Sequence, residues 1–385
     1  MIYVIGDGIS DEYIYGSYTK ISPETPIPIF KEDKVVKRAG GAWNVIANLT
    51  SLGSDPYFDC GCSSTKTRYV VDNRIVFRSD NETYEINDFT EYNPIGIDWL
   101  VISDYNKGYL HHSETIIENF KKAGVKVIVD PKKKLHRYIG ADIIKLNKKE
   151  FFEFAGRQDF DECELVRRNF NIGAIVITLG GDGVYVSSKE FTGMLPGEKR
   201  QVADVTGAGD VFLAAMAHYL NRGFTLKQAC ARANTLASIS VTKMGTYVLQ
   251  PEDLKETKII FTNGCFDILH KGHIEYLRAS KKLGGKLIVG LNSDKSVKKL
   301  KGLCRPINNQ FDRRAVLKSL GCVDEVIIFD EETPYELIQS IKPDIITKGG
   351  DYTPEMVVGK DLAEVVIIPY VDGYSTTKVL DDILR

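Results

Sequence analysis

The stretch Lys258–His273, KIIFTNGCFDILHKGH, leaves this chain little choice of local structure. Its apolar run Ile259–Phe261 predicts a strand, Asn263 and Gly264 interrupt it, and Ile274 and Leu277 mark the inward face of a helix beginning near Gly272. Strand, phosphate-sized loop and helix thus follow one another. His270 falls in the loop and His273 in the first helical turn, where unpaired backbone amides and the helix dipole favour anions. Gly272 lets a ligand approach the backbone between them. Two surface histidines at a helix start, or part of a zinc site with Cys265, are the plainer readings; zinc calls for closed Cys/His ligation at a spacing this sequence lacks. With Thr262–Asp267 ahead of the histidines, a loop that handles anions is the stronger reading.

A length of 385 residues predicts roughly two to three domains. With 43% hydrophobic and 26% charged residues, a sizeable core is available and wholesale disorder is not expected. A formal net charge of −2 announces no basic face, so no nucleic-acid partner is expected. MIYVIGDG runs straight into a strand and a glycine turn and does not read as a signal peptide, and no apolar run nears the ~18 residues of a membrane span. Seven cysteines, an odd number, suit reduced thiols better than a disulfide framework, which makes the cytoplasm the expected compartment.

In the first half, Ile2–Ile5 predicts a short strand ending in the turn Gly6-Asp7-Gly8, with Asp11 after it. Tyr13–Tyr15 and Ile27–Phe30 read as β segments among prolines 23, 26 and 28, as edge strands do. Gly40-Gly41 precedes a helical pattern of Val45, Leu49 and Leu52 closed by Gly53. Lys66–Val71 and Arg74–Arg78, joined by Asp72-Asn73, read as a hairpin. From Trp99 the pattern alternates: strand Leu100–Ile102, helix Glu114–Lys122, then strands Val125–Val129, Ile143–Leu146 and Ala174–Thr178. Such alternation predicts a parallel, helix-covered sheet. DVTGAGD, Asp204–Asp210, opens a helix over Val211–Asn221. The amides of Gly207, Ala208 and Gly209 would face a transferred phosphoryl group, and Asp210 would take the proton of the attacking hydroxyl. Alone, a glycine-rich helix start is as readily a plain turn.

It does not stand alone. Gly40-Gly41 with Asn44, the run Asn147-Lys148-Lys149-Glu150, and Thr178 to Gly183 (TLGGDG) occur in order with DVTGAGD, and together they resemble the PfkB, or ribokinase-like, sugar kinases. The resemblance implies that Asp11, Gly40, Gly41, Asn44, Asp104 and Lys107 bind the sugar, and that Asn147 and Glu150 order Mg2+ and phosphates indirectly. It assigns Thr178, Gly180, Gly183, Thr206, Gly207, Ala208, Gly209 and Asn234 to the nucleotide, and the β segments around residues 13–30 and 66–78 to a lid. From the residues alone, Asn147 could equally cap its helix, Glu150 answer the helix dipole and Asp11 sit in a turn.

Gly245–Glu256 holds one proline and no long flexible tether. Beyond it, strands at Ile259–Phe261, Leu287–Val289, Val326–Phe329, Ile345–Thr347 and Val365–Ile368, with helices between, predict a small Rossmann-like sheet. Asn292-Ser293-Asp294 ends the second strand on the ligand-binding edge, and Lys295, Lys298, Lys299, Lys301 and Arg305 form a basic loop after it. Lys348 to Tyr352 (KGGDY) ends the fourth strand, and Ser375-Thr376-Thr377 starts the last helix with hydroxyls and amides suited to a phosphate. This half resembles the nucleotidyltransferases with a His-x-Gly-His signature, which join a nucleoside triphosphate to a phosphorylated alcohol or sugar and release pyrophosphate. By that resemblance His270 and His273 act in the reaction. Thr262, Asn263, Gly264, Phe266, Asp267, Gly272, Asn292, Asp294, Lys301, Arg305, Arg313, Lys348, Asp351, Ser375, Thr376 and Thr377 would contact nucleotide or substrate.

Kinase motifs followed by transferase motifs, with SDYNKG, KGLCRP and DGYSTT among them, resemble the bifunctional heptose kinase/adenylyltransferases of the HldE or RfaE type over almost the whole chain. The resemblance implies an α/β protein: a ribokinase-like α/β/α kinase domain with a β lid, residues 1–252, then a Rossmann-like nucleotidyltransferase domain, residues 256–385. ATP with Mg2+ would phosphorylate the anomeric hydroxyl of heptose 7-phosphate. ATP would then adenylylate heptose 1-phosphate, giving pyrophosphate and ADP-heptose for lipopolysaccharide or another surface glycan. No Asp-x-Asp nucleophile pair stands at a strand end, so a separate phosphatase is expected between the two steps, and a homodimer is expected. The alternative is a sugar- or polyol-phosphate cytidylyltransferase whose first half is a degenerate kinase-like dimerisation domain. Two departures stand out: only Ser63-Ser64-Thr65 lies between Cys62 and Lys66, where such proteins carry a helix–strand unit, and the segment linking the halves is short.

Overall fold

The computed structural model describes residues 1–83, 94–132, 134–156, 160–350 and 352–369. Its chain divides into two units, Met1–Pro251 and Glu252–Arg385. The first unit runs β1 (Ile2–Ile21), β2 (Pro28–Gly41), α1 (Ala42–Ser51), β3 (Tyr57–Val71), β4 (Arg74–Glu82), β5 (Trp99–Ser103), α2 (Ser113–Lys122), β6 (Lys126–Asp130), β7 (Ile143–Asn147), α3 (Lys148–Ala155), α4 (Cys163–Asn169), β8 (Ala174–Thr178), β9 (Gly183–Ser188), β10 (Thr192–Pro196), α5 (Ala208–Asn221), α6 (Leu226–Ser240) and the short α7 (Pro251–Leu254). One sheet holds these strands in the order β10-β9-β8-β7-β6-β5-β1-β3-β4, with β2 on β1. The centre, β1 and β5 to β8, is parallel, and Leu100–Ile102, Val127–Val129 and Ile175–Ile177 are buried without a polar break, as strands covered on both faces must be.

Where the sequence predicts a turn at Gly6-Asp7-Gly8, β1 instead runs unbroken for 20 residues. These glycines serve close approach, not reversal: a Cβ on Gly6 would lie 2.2 Å from the Ser103 carbonyl oxygen, and one on Gly8 would lie 2.6 Å from the Trp43 ring. The expected β segments at Tyr13–Tyr15 and Ile27–Phe30 belong to the outer ends of β1 and β2, which pair antiparallel. Asp72 and Asn73, at φ 48° and 59°, make the hairpin turn between β3 and β4, the backbone that a two-residue connection of matching twist requires.

Tyr57–Cys62, which carries no strand signal of its own, is one strand with Lys66–Val71. This β3 lies parallel to β1 from Tyr57 opposite Tyr3 to Val70 opposite Tyr15, and its single irregularity leaves position 63 unmatched between Gly8 and Ile9. The short stretch at 63–65 therefore welds a core strand to a lid strand. β4 pairs only from Ser64 onward, so among the described residues Tyr57–Gly61 forms a sheet edge where Tyr57 and Phe58 are 56% and 60% exposed.

The second unit runs β11 (Ile259–Gly264), α8 (Lys271–Lys281), β12 (Lys286–Asn292), α9 (Asp294–Lys301), α10 (Gln310–Lys318), β13 (Glu325–Phe329), α11 (Tyr335–Ile341), β14 (Ile345–Gly349) and β15 (Glu364–Ile368). All five strands are parallel, ordered β13-β12-β11-β14-β15. Alternate residues feed opposite faces: Ile260, Leu287, Val289 and Leu317 pack on one, Phe261, Ile288, Ile338 and Ile346 on the other. Strand order reverses between β11 and β14, which opens a crevice at their carboxyl ends.

Candidate active sites

In the first unit, α5 starts from Gly207 at φ 77°, where a Cβ would come within 2.7 Å of Asn44 Nδ2. Asp210 falls in the first turn and is 1% exposed. Its Oδ2 accepts from Asn44 Nδ2 (3.1 Å) and its Oδ1 from Tyr105 Oη (2.6 Å). Burial pushes the Asp210 carboxyl up to about 6, against the pull of those two donors. Lys145, on β7, lies directly behind Gly209, where a Cβ would be 2.9 Å from its Nζ. That ammonium is buried and pairs with Asp130 Oδ2 at 2.7 Å, so a fixed positive charge backs the start of α5. Lys132 pairs with Glu150 and holds its Nζ 5.7 Å from the Tyr105 ring centroid.

Other expected residues have plainer duties. Asn147 and Glu150 form a capping box on α3: Asn147 Oδ1 accepts from the Glu150 amide (2.9 Å) and Glu150 Oε2 from the Asn147 amide (2.8 Å). Asp11 is buried in an ion pair with Arg68, and Gly40 is small because a Cβ would meet Asp11 Oδ2 at 2.2 Å. Asp104, expected to bind sugar, is fully buried and braces its own loop, accepting from the Asn106 amide and Tyr138 Oη, each at 2.7 Å. Lys107 pairs with Glu82 of β4. The Ala208 amide, expected in the anion hole, donates to the Val205 carbonyl (3.3 Å). Thr206 closes a turn on Asp204 Oδ1, Thr178 Oγ1 donates to the Leu146 carbonyl, and Asn234 Nδ2 donates to the Pro196 carbonyl. Gly180 and Gly183 both hold positive φ, and a Cβ on Gly183 would strike the Leu195 carbonyl oxygen at 2.1 Å. Gly41, at φ 58°, ends β2 just before α1.

Sequence reasoning missed Tyr105, Asp130, Lys132 and Lys145. The signal was positional: Tyr105 and Lys132 follow the carboxyl ends of β5 and β6, Asp130 ends β6, and Lys145 precedes the end of the adjacent β7, on the edge where such sheets receive ligands.

In the second unit, His270 caps α8 and His273 lies in its first turn beside Gly272. The two rings stack with centroids 3.9 Å apart, and Phe266 meets His273 edge-on at 5.3 Å. Burial lowers both imidazoles, His273 to about 4 with the help of His270 and Lys301, so they are neutral near pH 7. Lys348, at the end of β14, donates from Nζ to the Asn263 carbonyl (3.1 Å), and burial brings it down to about 8. Histidines after β11 and a lysine on β14 thus come from the two strands that flank the reversal.

Several residues expected to touch ligand hold the walls of this crevice through bonds within the protein. Arg313 is buried at 2% exposure: Nη1 donates to the Cys265 and Asn292 carbonyls (2.6 and 2.9 Å), Nε to the Asn308 carbonyl (3.0 Å) and Nη2 to Asp294 Oδ1 (2.7 Å). Four of its five N–H donors are engaged on protein oxygens, so it clamps the loops around the crevice. Asp267 accepts the Ile307 and Asn308 amides and pairs with Arg305 (2.9 Å). Thr262 Oγ1 bonds Tyr276 Oη (2.7 Å), and Asn292 Nδ2 donates to Ser296 Oγ (3.0 Å). A Cβ on Gly264 would touch the Phe266 ring, and Lys301 is exposed at the end of α9. Asp351, Ser375, Thr376 and Thr377 lie outside the described residues.

Among the described residues no group of three or more His, Cys, Asp or Glu is placed to hold a metal ion. No described helix is long and apolar enough to cross a membrane.

Residues 93–253 match the family model for pfkB family carbohydrate kinases, and residues 261–379 match the cytidylyltransferase-like model. Proteins called bifunctional protein HldE are similar along the whole chain. That of Campylobacter fetus is 37% identical, covering 99% of both chains, and that of Nitratiruptor sp. is 36% identical, covering 99% of this chain and 98% of its own. The second alignment spans 457 residues against a chain of 385, so the relatives carry stretches with no counterpart here. Among solved structures, ribokinase from Thermotoga maritima (TM-score 0.54, 18% identity) and phosphofructokinase-2 from Escherichia coli (0.54, 16%) each cover 66% of this chain and 98% and 97% of their own, a likeness of fold.

Proposed function

The chain belongs to the bifunctional HldE family, a sugar kinase joined to a nucleotidyltransferase, and we propose that its two units perform separated steps on the way to ADP-heptose. The observation that carries this reading is the pairing on one chain of a buried carboxylate at the start of α5 with two histidines at the start of α8.

In the first step Asp210 removes the proton from the anomeric hydroxyl of heptose 7-phosphate. The freed oxygen bonds to the γ-phosphorus of ATP as the bond to the β,γ-bridging oxygen breaks and ADP departs. Lys145, behind Gly209, and the amides of Gly207 and Gly209 would stabilise the charge that collects on the transferred group. Mg2+ bound with ATP, ordered through Asn147 and Glu150, would add charge neutralisation. In the second step a sugar 1-phosphate oxygen attacks the α-phosphorus of ATP and pyrophosphate leaves. His270, His273 and Lys348 supply alignment and hydrogen bonds, and no covalent enzyme intermediate is needed. Preference for ATP over CTP in this half rests on family membership and is open to a nucleotide panel. A cytidylyltransferase with a dead first half fits poorly with an Asp210 that keeps its donors and the lysine behind its helix start. A homodimer in the cytoplasm belongs to the same proposal.

The first product carries phosphates at both ends, whereas the second step takes a 1-phosphate. A separate phosphatase is therefore a functional partner. Purified protein given heptose 7-phosphate and ATP is expected to accumulate the bisphosphate, followed by phosphorus NMR, and to form ADP-heptose only after a phosphatase is added. ADP-heptose formed without one would overturn this division of labour.

A further inference from the structure

Two buried carboxylates hold one short loop in place. Asp7, fully buried on β1, accepts the amides of Tyr105 (2.8 Å), Lys107 (3.2 Å) and Tyr109 (3.2 Å). Asp104, also fully buried, accepts the Asn106 amide and Tyr138 Oη. Burying two carboxylates is costly, and the donors they accept offset that cost only while the loop keeps this geometry, so the loop is held firmly. What the loop delivers is the Tyr105 phenol, which donates to Asp210 Oδ1 at 2.6 Å while Asn44 donates to Oδ2. Lys66 and Lys132 lie against the same ring, at 5.4 and 5.7 Å from its centroid.

We infer that Tyr105 is a positioning residue of the kinase, whose phenol fixes the orientation of Asp210 and keeps it ionised so that it can receive the sugar proton. This rests on the kinase reading of Asp210. The physical case is that a carboxylate inside the fold favours the protonated form, and a donor aimed at one oxygen restores the charged form while leaving that oxygen a second lone pair for the incoming proton. Burial raises Asp210 and the Tyr105 and Asn44 donors lower it. The charged groups acting on it are Asp130 from β6, Lys145 from β7 and Lys132 beyond β6, while Asp11 from β1 acts on Tyr105. From α1 comes the neutral Asn44, and α6 turns Arg232 toward Tyr219 and Phe224 instead. Tyr105 is itself raised by burial and by Asp210, so it stays a proton donor across the working range.

The test is the pH profile of the kinase step in the full chain. Tyr105→Phe is expected to move the acid limb of kcat upward by about 1 pH unit, so that the loss is large below pH 6 and mostly recovered above pH 8, with KM for ATP little changed. 3-Fluorotyrosine at position 105, a stronger donor of the same shape, should move the limb the other way. A uniform loss with an unmoved limb, or a limb that ignores the fluorine, would overturn the inference. The first unit's own melting transition, and ATP binding by that unit, report whether each variant is folded. Asp210→Asn separates the two readings: if that variant still turns over, the base assignment fails, and if it is dead while Tyr105→Phe keeps its limb, only the role of Tyr105 fails.

Discussion

Asp210 carries opposite consequences for turnover and for stability. Because it must be ionised to act, kinase kcat/KM should fall as pH drops through about 6. Its folded-state pKa lies above the unfolded value of 3.8, so the stability it contributes is present below that value and lost as pH rises through about 6. Asp210→Asn should therefore abolish phosphorylation while keeping ATP binding, and above about pH 7 should not lower the melting temperature; residual turnover would move the base elsewhere. For the second unit, His273→Ala should remove on the order of 3 kcal/mol or more of transition-state stabilisation, about a hundredfold or more in pyrophosphate release, and leave kinase turnover intact. Unchanged release would sink the assignment.

At the scale of elements, the parallel core was legible because buried strands are continuous apolar runs: Ala174–Thr178 is the span expected from the sequence, and the five strands of the second unit are all where the apolar pattern puts them. Turn chemistry also read correctly at Asp72-Asn73. The reading failed at Gly6 and Gly8, since glycine for a turn and glycine for close packing look alike in one dimension and only Ser103 and Trp43 decide between them. It failed at Tyr57–Cys62 because an edge strand has one covered side and little apolar signal. The hydrogen bonds of Arg313 and Asp104 to the protein were not legible, because motif membership does not say which way a side chain points. Gly6→Ala tests the packing reading. Its new methyl meets backbone and not a movable side chain, so a loss of about 2 kcal/mol or more is expected in thermal melting of the first unit, with the second unit's transition unmoved. A neutral result would mean β1 and β5 can part more easily than their register implies.

For the whole molecule, the proposed division of labour puts both reactions on one chain and sends the intermediate to a phosphatase between them; on that proposal, joining the halves serves co-expression and local supply more than channelling. The exposed Tyr57–Phe58 edge lies just before the point where β3 passes from core to lid. Residues 1–252 expressed alone are expected to melt below the first transition of the full chain; equal melting would show that the second half gives that unit no support.

The weld in β3 also changes how a lid can move. Both β1 and β3 pass from core to lid without a break and are hydrogen-bonded side by side along that passage. The pair behaves like a leaf spring and not like a door on a pin: closing over a sugar would be taken up as small increments of twist along the ribbon, with position 63, the one unmatched residue, as its softest point. Stiffness of that kind favours a narrow range of substrate lengths, and hydrogen exchange across Ile9–Tyr15 should change evenly on sugar binding, with no one position standing out.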